Sequence, residues 1–360
     1  MKDSIPSKKQ VKKAGEALAN SNSSTSEYKK AMQVLSIWRS LHTTPLNTFQ
    51  TTLRRKVKSL NFYSPIIAQR LKRTPSIILK LQRFQDMNLA RMQDIGGLRI
   101  VLSTVGEVYR LQKNILEKSS RFDHDLKKLN DYIHDPKPDG YRGLHLIFRY
   151  KSVVHPHLDG LLIELQIRTK LQHSWATAVE TLGLIEKSSF KTGEGDTEFK
   201  DFFKLCSALF AHYEKQPVSE ELRGFSVIEL AKELKILEEK LNIFQKLQGV
   251  AISSQYIGTN NKVTGDCEYF LVELNLRDEN PQVNITGFNK EMKDMAESHY
   301  QRREITLRDE PKVDIVLISM SNVKDIEKAY PNYFLDTELF IENLQKICST
   351  ALMGIAQNKN

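Results

Sequence analysis

Apolar and polar residues alternate along the middle of the chain in two different periods, which predict strands and helices in turn. Residues 96–103, 140–152 and 161–169 are short apolar runs rich in β-branched and aromatic residues, as is typical of buried strands. Residues 105–120 and 170–188 carry apolar residues at helical spacing. Because strands that alternate with helices form α/β layers, the sequence predicts an α/β (α+β) fold with a mixed sheet.

The segments before this region have a helical pattern. Helical periodicity covers residues 27–45 and 47–60, and a further helix is predicted to open near Pro75 and Ser76, since proline is favoured in the first turn. Residues 1–25 are polar and end in a Ser/Asn-rich stretch, which is typical of a flexible leader or of a helix N-cap.

The second half of the chain carries a smaller α/β pattern. Residues 189–203 are polar and contain glycine, which predicts a linker, and residues 226–248 predict an amphipathic helix. Strand-like and helix-like runs then alternate at 268–277, 281–288, 289–302, 312–321 and 336–352. The patterns predict four segments: an N-terminal helical region (1–59), a mixed α/β domain (60–188), a linker with an amphipathic helix (189–249) and a small C-terminal α/β domain (250–360).

Charge divides the chain in a similar way. Residues 1–190 hold 32 Lys and Arg against 16 Asp and Glu, whereas residues 191–360 hold 21 against 28. A basic half is typical of proteins that bind polyanions such as nucleotides or RNA, although a solvated lysine-rich surface has the same composition. The acidic half has the opposite sign, so the sequence also allows it to cover the basic half.

The overall composition is that of an ordinary soluble protein, with 40% apolar and 27% charged residues. No run approaches the roughly 18 apolar residues that a membrane span needs, and the basic N-terminus lacks the apolar stretch of a secretory signal. Cys206, Cys267 and Cys348 are far apart, which argues against a disulfide frame or a zinc site. The sequence therefore predicts a cytoplasmic protein with no membrane segment.

Two clusters of polar residues mark strands of the predicted sheet. Asp94 precedes two glycines at the start of the first strand, an arrangement that suits Mg²⁺ held together with phosphates and that also fits an ordinary turn aspartate. On the third strand one face is apolar and the other carries Glu164, Gln166 and Arg168. Three polar side chains in register are costly to bury, so this face is predicted to open onto a site or onto solvent.

A third cluster lies in "PKPDGYRGLH". Two prolines stiffen the turn around Lys137, and the alternation of the following strand places Tyr141, Gly143 and His145 on one face. A tyrosine ring can stack on a nucleobase, an interaction worth ~1–3 kcal/mol, and a glycine leaves room for a ligand along the strand. Upstream, four cationic residues flank a helix start and favour phosphate groups: Arg70, Lys72, Arg73 and Lys80.

Four ordered motifs resemble the alarmone synthetase domain of the RelA/SpoT family over about residues 60–185. They are "RLKRTPSIILKL", "QDIGGLRIV", "DYIHDPKPDGYRGLH" and "ELQIRT" followed by "QHSWA". The resemblance implies a nucleotidyltransferase-like mixed sheet flanked by helices. It also implies a diphosphotransferase that moves the β,γ-pyrophosphate of ATP to a ribose 3′-hydroxyl of an acceptor nucleotide and releases AMP.

The resemblance also implies roles for single residues. Asp94 is expected to hold Mg²⁺, and Glu164 to assist the metal and to activate the 3′-hydroxyl. The expected ATP contacts are Arg70 and Arg99 beside adenine and Lys72 and Lys80 on the phosphates. The expected acceptor contacts are Tyr141, stacked on the base, with Lys137, His145, Gln166 and Arg168 nearby.

The chain departs from the family pattern at three points. Only about 60 residues precede the motifs, so the metal-dependent hydrolase domain of long family members is not expected. Gly143 stands where the family usually has serine, and Asn130 where it often has lysine. Both changes fall on the acceptor side, which puts a guanine nucleotide acceptor (GDP or GTP) in doubt.

These departures, with the basic half and the extra C-terminal unit, resemble the fused toxin–antitoxin synthetases of phage defence. The resemblance implies pyrophosphorylation of the 3′-terminal adenosine of tRNA, autoinhibition by the C-terminal domain, and release by a phage protein such as the major capsid protein. Tyr330 and Tyr333 form a Y-x-x-Y pair like the blocking motif of that group, although two tyrosines near a helix start are also common core or surface residues. A (p)ppGpp-type synthetase and a non-catalytic RNA-binding or sensor module remain alternatives.

Overall fold

The computed structural model describes residues 5–20, 22–84, 86–117, 122–185, 197–248, 267–275, 282–307, 310, 313–319 and 337–357. Its strands are β1 (Ile66–Leu71), β2 (Gly96–Leu102), β3 (Asp125–Asp131), β4 (Leu144–Arg149), β5 (Leu162–Thr169), β6 (Cys267–Asn275), β7 (Gln282–Asn289) and β8 (Val313–Ser319). The helices of the first half are α1 (Lys8–Ala19), α2 (Thr25–Ser40), α3 (Thr43–Ser59), α4 (Thr74–Arg83), α5 (Val105–Leu116) and α6 (Lys170–Ile185). Those of the second half are α7 (Thr197–Tyr213), α8 (Val227–Leu241), α9 (Lys293–Thr306) and α10 (Glu338–Gln357).

The eight strands form one sheet in the order β3-β4-β5-β2-β1-β8-β6-β7. β2 and β5 pair in parallel, and the other described pairs are antiparallel. The parallel pair needs a long crossover, which α5, β3 and β4 supply between the two strands. The expected fold class, a mixed sheet flanked by helices, is confirmed.

The central strands bury one face in an apolar core. Ile163, Leu165 and Ile167 of β5 are fully buried, and they belong to the same core cluster as residues of α1 to α5. Successive side chains of a strand point to opposite faces, so the residues between them face the other way. The apolar alternation of this strand therefore fixes which of its side chains can reach a ligand.

A second core forms among four helices. α6, α7, α8 and α10 contribute buried apolar residues to one cluster, including Phe203, Phe210, Leu230 and Phe340. Phe340 lies 5.8 Å from Phe210 and 6.1 Å from Phe203 between ring centroids. The last helix of the chain thus completes a core that begins with α6.

Several elements differ from the sequence predictions. Residues 8–19, predicted as part of a flexible leader, form α1, whose Val11 and Leu18 are buried in the first core. Residues 197–203, predicted as a linker, begin α7, because their phenylalanines face the second core. β1 and β3 were not predicted as strands. β1 is directly followed by the basic residues Lys72 and Arg73, and β3 is a polar strand at the edge of the sheet, where hydrophobic alternation is not required.

The C-terminal strands extend the same sheet. β8 pairs with β1, where Gln69 lies opposite Ser319, and the Gln50 side-chain amide donates to the carbonyl of Ser319 at 2.8 Å. The predicted boundaries of the four segments remain a prediction. Cys206, Cys267 and Cys348 are free thiols. None of the described helices combines the length and the hydropathy that crossing a membrane requires.

Replacing Phe340 tests whether α10 is part of the folded unit. Phe340→Ala should lower the free energy of unfolding by about 3–5 kcal/mol, because it removes a fully buried ring from the second core. Leu339→Ala is the matched control, since Leu339 is 46% exposed and its loss should change stability by less than about 0.5 kcal/mol. Urea unfolding curves would measure both, and equal stabilities would show that α10 does not contribute to the core.

Candidate active site

The register of three neighbouring strands places Arg70 and Glu164 on either side of Gly97. Arg70 of β1 lies opposite Gly97 of β2, and Gly97 lies opposite Glu164 of β5. Paired residues project to the same face of a sheet, and glycine has no side chain to fill the space between its neighbours. The sheet therefore has a groove over Gly97, with a guanidinium on one side and a carboxylate on the other.

The next row of the sheet continues the polar face. Arg99 pairs with Gln166, and Gln166 pairs with His145 of β4. These residues lie two positions along their strands from the groove, so they share its face. Together with Arg70, Gly97 and Leu98, the expected residues Lys72, Asp94, Arg99, Glu164 and Gln166 line one cavity.

Asp94 stands between two lysines. The Nζ of Lys72 is 3.0 Å from its Oδ2, and the Nζ of Lys80 on α4 is 3.0 Å from both carboxylate oxygens. Burial raises the pKa of the Asp94 carboxyl, but the two ammonium groups outweigh burial and hold that pKa below its usual value. Asp94 is therefore ionised at neutral pH, with cations beside it that are also suited to phosphate.

Glu164 is held by two donors. Its Oε1 lies 2.9 Å from Nδ1 of His145, and its Oε2 accepts from Nε2 of Gln166 at 2.8 Å. Burial raises the pKa of Glu164, but the interactions with His145 and the hydrogen bond from Gln166 together outweigh burial, so the pKa lies below its usual value. Asp94 and Glu164 line the same cavity, and the charge of Asp94 acts to raise the pKa of Glu164.

A chain of hydrogen bonds continues from Glu164 to the expected acceptor residues. Burial lowers the pKa of His145, so the imidazole is neutral at pH 7. An ionised Glu164 only accepts, so Nδ1 of His145 donates to it and Nε2 accepts from the Tyr141 hydroxyl. Arg168 donates to the same hydroxyl at 2.7 Å and to Oε1 of Gln166 at 3.0 Å. The network fixes the direction in which Glu164 points.

The ring of Tyr141 has cations over it. Lys137 Nζ lies 5.0 Å from the ring centroid, and the guanidinium carbon of Arg168 also lies 5.0 Å from it. Tyr132, which the sequence reasoning missed, meets Tyr141 edge to face and has Lys137 4.6 Å from its own centroid. A base that stacks on Tyr141 must therefore displace or join these cations.

The structure explains why residue 143 is a glycine, which the sequence alone did not. Its φ is +153°, and an added Cβ would lie 3.2 Å from Cγ of Arg168 and 3.3 Å from the Tyr141 hydroxyl. The side chains of Arg168 and Tyr141 border this space, and the expectation that a ligand lies along the strand here stays a prediction. Glycine allows Arg168 to approach the turn and to hold Tyr141.

The turn before β4, which carries Tyr141, also contacts helix α7, and sequence reasoning missed this contact. The guanidinium of Arg142 is buried and donates to the carbonyls of Ile133 and Pro217 and to the hydroxyl of Ser207 on α7. Ser207 in turn donates to the carbonyl of Gly140. An arginine next to a tyrosine gave no sequence signal of this role, because its partners lie far along the chain.

The two tyrosines predicted to block the site, Tyr330 and Tyr333, lie outside the described residues. The other expected site residues lie on or beside one face of the sheet, with the ATP contacts on β1, β2 and α4 and the acceptor contacts on β4, β5 and the turn before β4. Their individual roles remain predictions.

The polar face combines two carboxylates with several cations, a composition that is chemically suited to phosphate-bearing ligands. Residues 69–193 match the RelA_SpoT family, described as a region found in RelA / SpoT proteins. The matched residues include the end of β1 and all strands up to β5, as well as α6. The first half of the chain therefore contains a region of the RelA/SpoT type.

Curated relatives are similar over the same part of the chain. The GTP pyrophosphokinase YwaC of Bacillus subtilis is 31% identical over 140 residues, which are 37% of this chain and 65% of the relative. The GTP pyrophosphokinase YjbM of the same organism is 32% identical over 124 residues, 33% of this chain and 57% of the relative. The chain thus spans less than two thirds of these relatives.

Solved structures of Bacillus subtilis enzymes are similar as well. Small alarmone synthetase 1 bound to its product pppGpp is 24% identical with a TM-score of 0.41, covering 49% of this chain and 90% of that chain. Small alarmone synthetase 2 is 24% identical with a TM-score of 0.41, covering 58% of this chain and 96% of that chain.

Replacing Gly143 tests the reason for the glycine. Gly143→Ala should lower the free energy of unfolding by about 1–3 kcal/mol, because alanine rarely adopts this φ and its Cβ would crowd Arg168. Gly224→Ala is the control, since a Cβ there has no atom within 4 Å. Urea unfolding would compare the two variants, and a Gly143→Ala protein as stable as the control would contradict the account.

Proposed function

We propose that this protein is a diphosphotransferase that moves the β,γ-pyrophosphate of ATP to the 3′-hydroxyl of a nucleotide acceptor. The observation that carries the proposal is the cleft that Asp94 and Glu164 share with Arg70, Lys72 and Arg99. Phosphoryl transfer depends mainly on positioning and on neutralising charge, and these residues are of the type that does both. The RelA/SpoT match over residues 69–193 and the names of the curated relatives support the same reaction.

The two carboxylates fit a magnesium ion. Mg²⁺ is usually bound through one or two carboxylates, with substrate phosphates and water completing its shell. Asp94 and Glu164 would supply the carboxylates, and the described residues contain no group of three or more His, Cys, Asp or Glu that could hold a metal without substrate. When bound, Mg²⁺ would neutralise the charge of the phosphates.

The protein's own residues divide the remaining work. Lys72 and Lys80 already lie at Asp94, and they would turn to the phosphates of ATP when the nucleotide binds. Arg70 and Arg99 would flank the adenine. Glu164, oriented by His145 and Gln166, would take the proton of the acceptor 3′-hydroxyl.

The acceptor in this proposal is the 3′-terminal adenosine of tRNA. The two departures from the family pattern lie close to each other at the acceptor side: Asn130 pairs with His145, and Gly143 adjoins Tyr141. Both would alter how a base is held by Tyr141, with Lys137 and Arg168 beside it. The excess of cations in residues 1–190 supports a polyanionic acceptor.

GDP or GTP is the second candidate acceptor. The curated relatives are named GTP pyrophosphokinases, and one similar solved structure holds pppGpp. A catalytically inactive RNA-binding or sensor module is a weaker alternative, because both carboxylates are present in the cleft.

The physiological role in this proposal is that of a cytoplasmic toxin in phage defence, which inhibits translation by modifying tRNA. Residues 250–360 would restrain the enzyme, with Tyr330 and Tyr333 blocking the ATP site. A phage protein such as the major capsid protein would relieve the restraint. The acidic balance of residues 191–360, 28 Asp and Glu against 21 Lys and Arg, supports attraction to the basic half.

The acceptor is decided by labelling. The full chain is incubated with Mg²⁺ and ATP labelled at the γ-phosphate, with tRNA, GDP or GTP in separate reactions. Label should enter tRNA when the trigger protein is present or when Tyr330 and Tyr333 are both replaced by alanine. Asp94→Asn should lower that rate by at least about 10²-fold, because it removes a proposed metal ligand while retaining the side-chain volume. Label in guanine nucleotides alone would select the second candidate, and no transfer to any acceptor with or without the trigger protein would contradict the proposed activity.

The restraint is tested without truncation, because α10 belongs to the second core. Tyr330→Ala combined with Tyr333→Ala should raise the transfer rate of the otherwise inactive protein by about tenfold or more, since the ATP site would open. Tyr28→Ala is the control, because it removes a tyrosine that lies outside residues 60–188 and 250–360. Equal rates in the double variant and the parent protein, in the absence of a trigger, would rule out these tyrosines as the block.

A further inference from the structure

The helix that carries Lys80 lacks a cap of its own. α4 begins at Thr74, and the side chain of its N-cap residue Arg73 makes no capping hydrogen bond. The backbone N–H of Thr74 instead donates to Oε1 of Glu304 at 2.7 Å, and the Thr74 hydroxyl donates to Oε2 at 2.9 Å. A carboxylate at a helix N-terminus satisfies free N–H groups and complements the helix dipole. α9 of the C-terminal region thus caps the lysine-bearing helix.

Arg39 joins this cap to the rest of the site. Its Nη1 donates to Oε2 of Glu304 at 2.7 Å and its Nη2 to the hydroxyl of Tyr300 at 3.0 Å. Arg39 is 3% exposed and Glu304 is 8% exposed. A buried charge is tolerated only when it is paired and hydrogen-bonded, so the two residues hold each other in place.

The same arginine also fixes the backbone next to the cleft. Its Nε donates to the carbonyl of Lys72 at 3.0 Å, and its Nη1 donates to the Thr74 hydroxyl at 2.7 Å. Lys72 and Lys80 each approach Asp94 to 3.0 Å. The buried network therefore holds the segment between Lys72 and Thr74, and Thr74 begins the helix that carries Lys80.

We infer that Glu304 is a positioning residue for ATP binding, which acts through Thr74 and Arg39 on Lys72 and Lys80. The inference rests on the proposed function, in which these lysines contact the phosphates of ATP. In this role the C-terminal region supports the ATP site, independently of any blocking by its tyrosines. Packing of α9 against β6 and β8 places this carboxylate at the cap.

Glu304→Gln is the most selective variant. Glu304 accepts four hydrogen bonds, two at each carboxylate oxygen, from Thr74, Arg39 and Tyr300. Glutamine has one acceptor oxygen and an NH₂ group that would face a donor. Glu273→Gln is the matched control, because Glu273 forms a two-bond pair at 2.8 Å with Arg303, the neighbour of Glu304, and no contact of that pair reaches α4.

Binding of a non-hydrolysable ATP analogue with Mg²⁺ is measured by calorimetry on the full chain carrying Tyr330→Ala and Tyr333→Ala. This protein is the parent for the test, because the two tyrosines are proposed to block the ATP site. Glu304→Gln should weaken binding of the analogue about tenfold, and its KM for the acceptor should stay within about twofold of the parent. Glu273→Gln should bind the analogue within about twofold of the parent. In a Lys80→Met background, Glu304→Gln should lose most of its effect, because its action passes partly through Lys80. Equal affinity of Glu304→Gln and the parent, or full additivity with Lys80→Met, would overturn the inference.

Two further measurements keep the test decisive. If Glu304→Gln fails to fold, Arg39→Gln combined with Glu304→Gln leaves no unpaired buried charge, and parent-like affinity in that folded variant would overturn the inference. If the parent protein binds no ATP analogue, the proposed function fails, and hydrogen exchange of residues 74–83 in the free protein decides the capping role. Exchange there should be at least about fivefold faster in Glu304→Gln than in Glu273→Gln, and equal rates would contradict the cap.

Discussion

The parallel pairing of β2 with β5 is the interaction on which the rest of the site depends. It places the strand that follows Asp94 beside the strand that carries Glu164, although 70 residues separate them in sequence. β1 then adds Arg70 on one side and β4 adds His145 on the other. Gly97, between Arg70 and Glu164, leaves the face open where these charges converge. The ATP and acceptor sides are thus two sides of one central strand pair.

The second half of the chain contacts both sides of this arrangement. On the ATP side, Glu304 and Tyr300 of α9 meet Arg39 and Thr74. On the acceptor side, α10 packs with α6, α7 and α8, and α7 reaches the turn of Tyr141 through Ser207. The C-terminal residues are therefore part of the architecture around the cleft, so a regulatory role would be exerted by elements that also hold the cleft together.

The mixed sheet and the polar face of β5 could be predicted from the sequence, because both follow from strand periodicity. The alternation in β5 correctly placed Glu164, Gln166 and Arg168 opposite the apolar core, and the α/β order was correct in the middle of the chain. β3 was missed because an edge strand has a single neighbour and can remain polar. Arg142 and Glu304 were missed because their partners are distant in sequence, and only the fold shows that these charges are buried and paired.

The junction between the two parts of the sheet has a mechanical consequence. Within the described residues, β1 and β8 share two residue pairs, whereas β8 and β6 share seven. Over these residues fewer backbone hydrogen bonds join β8 to β1, so a pulling force across the sheet would separate that pair first. One of the two pairs joins Arg70 to Ile318. Separation of β8 from β1 would therefore begin at the backbone of a residue that faces the cleft. A partner that binds the β7 edge of the sheet would therefore act on Arg70 through the pairing of β8 with β1.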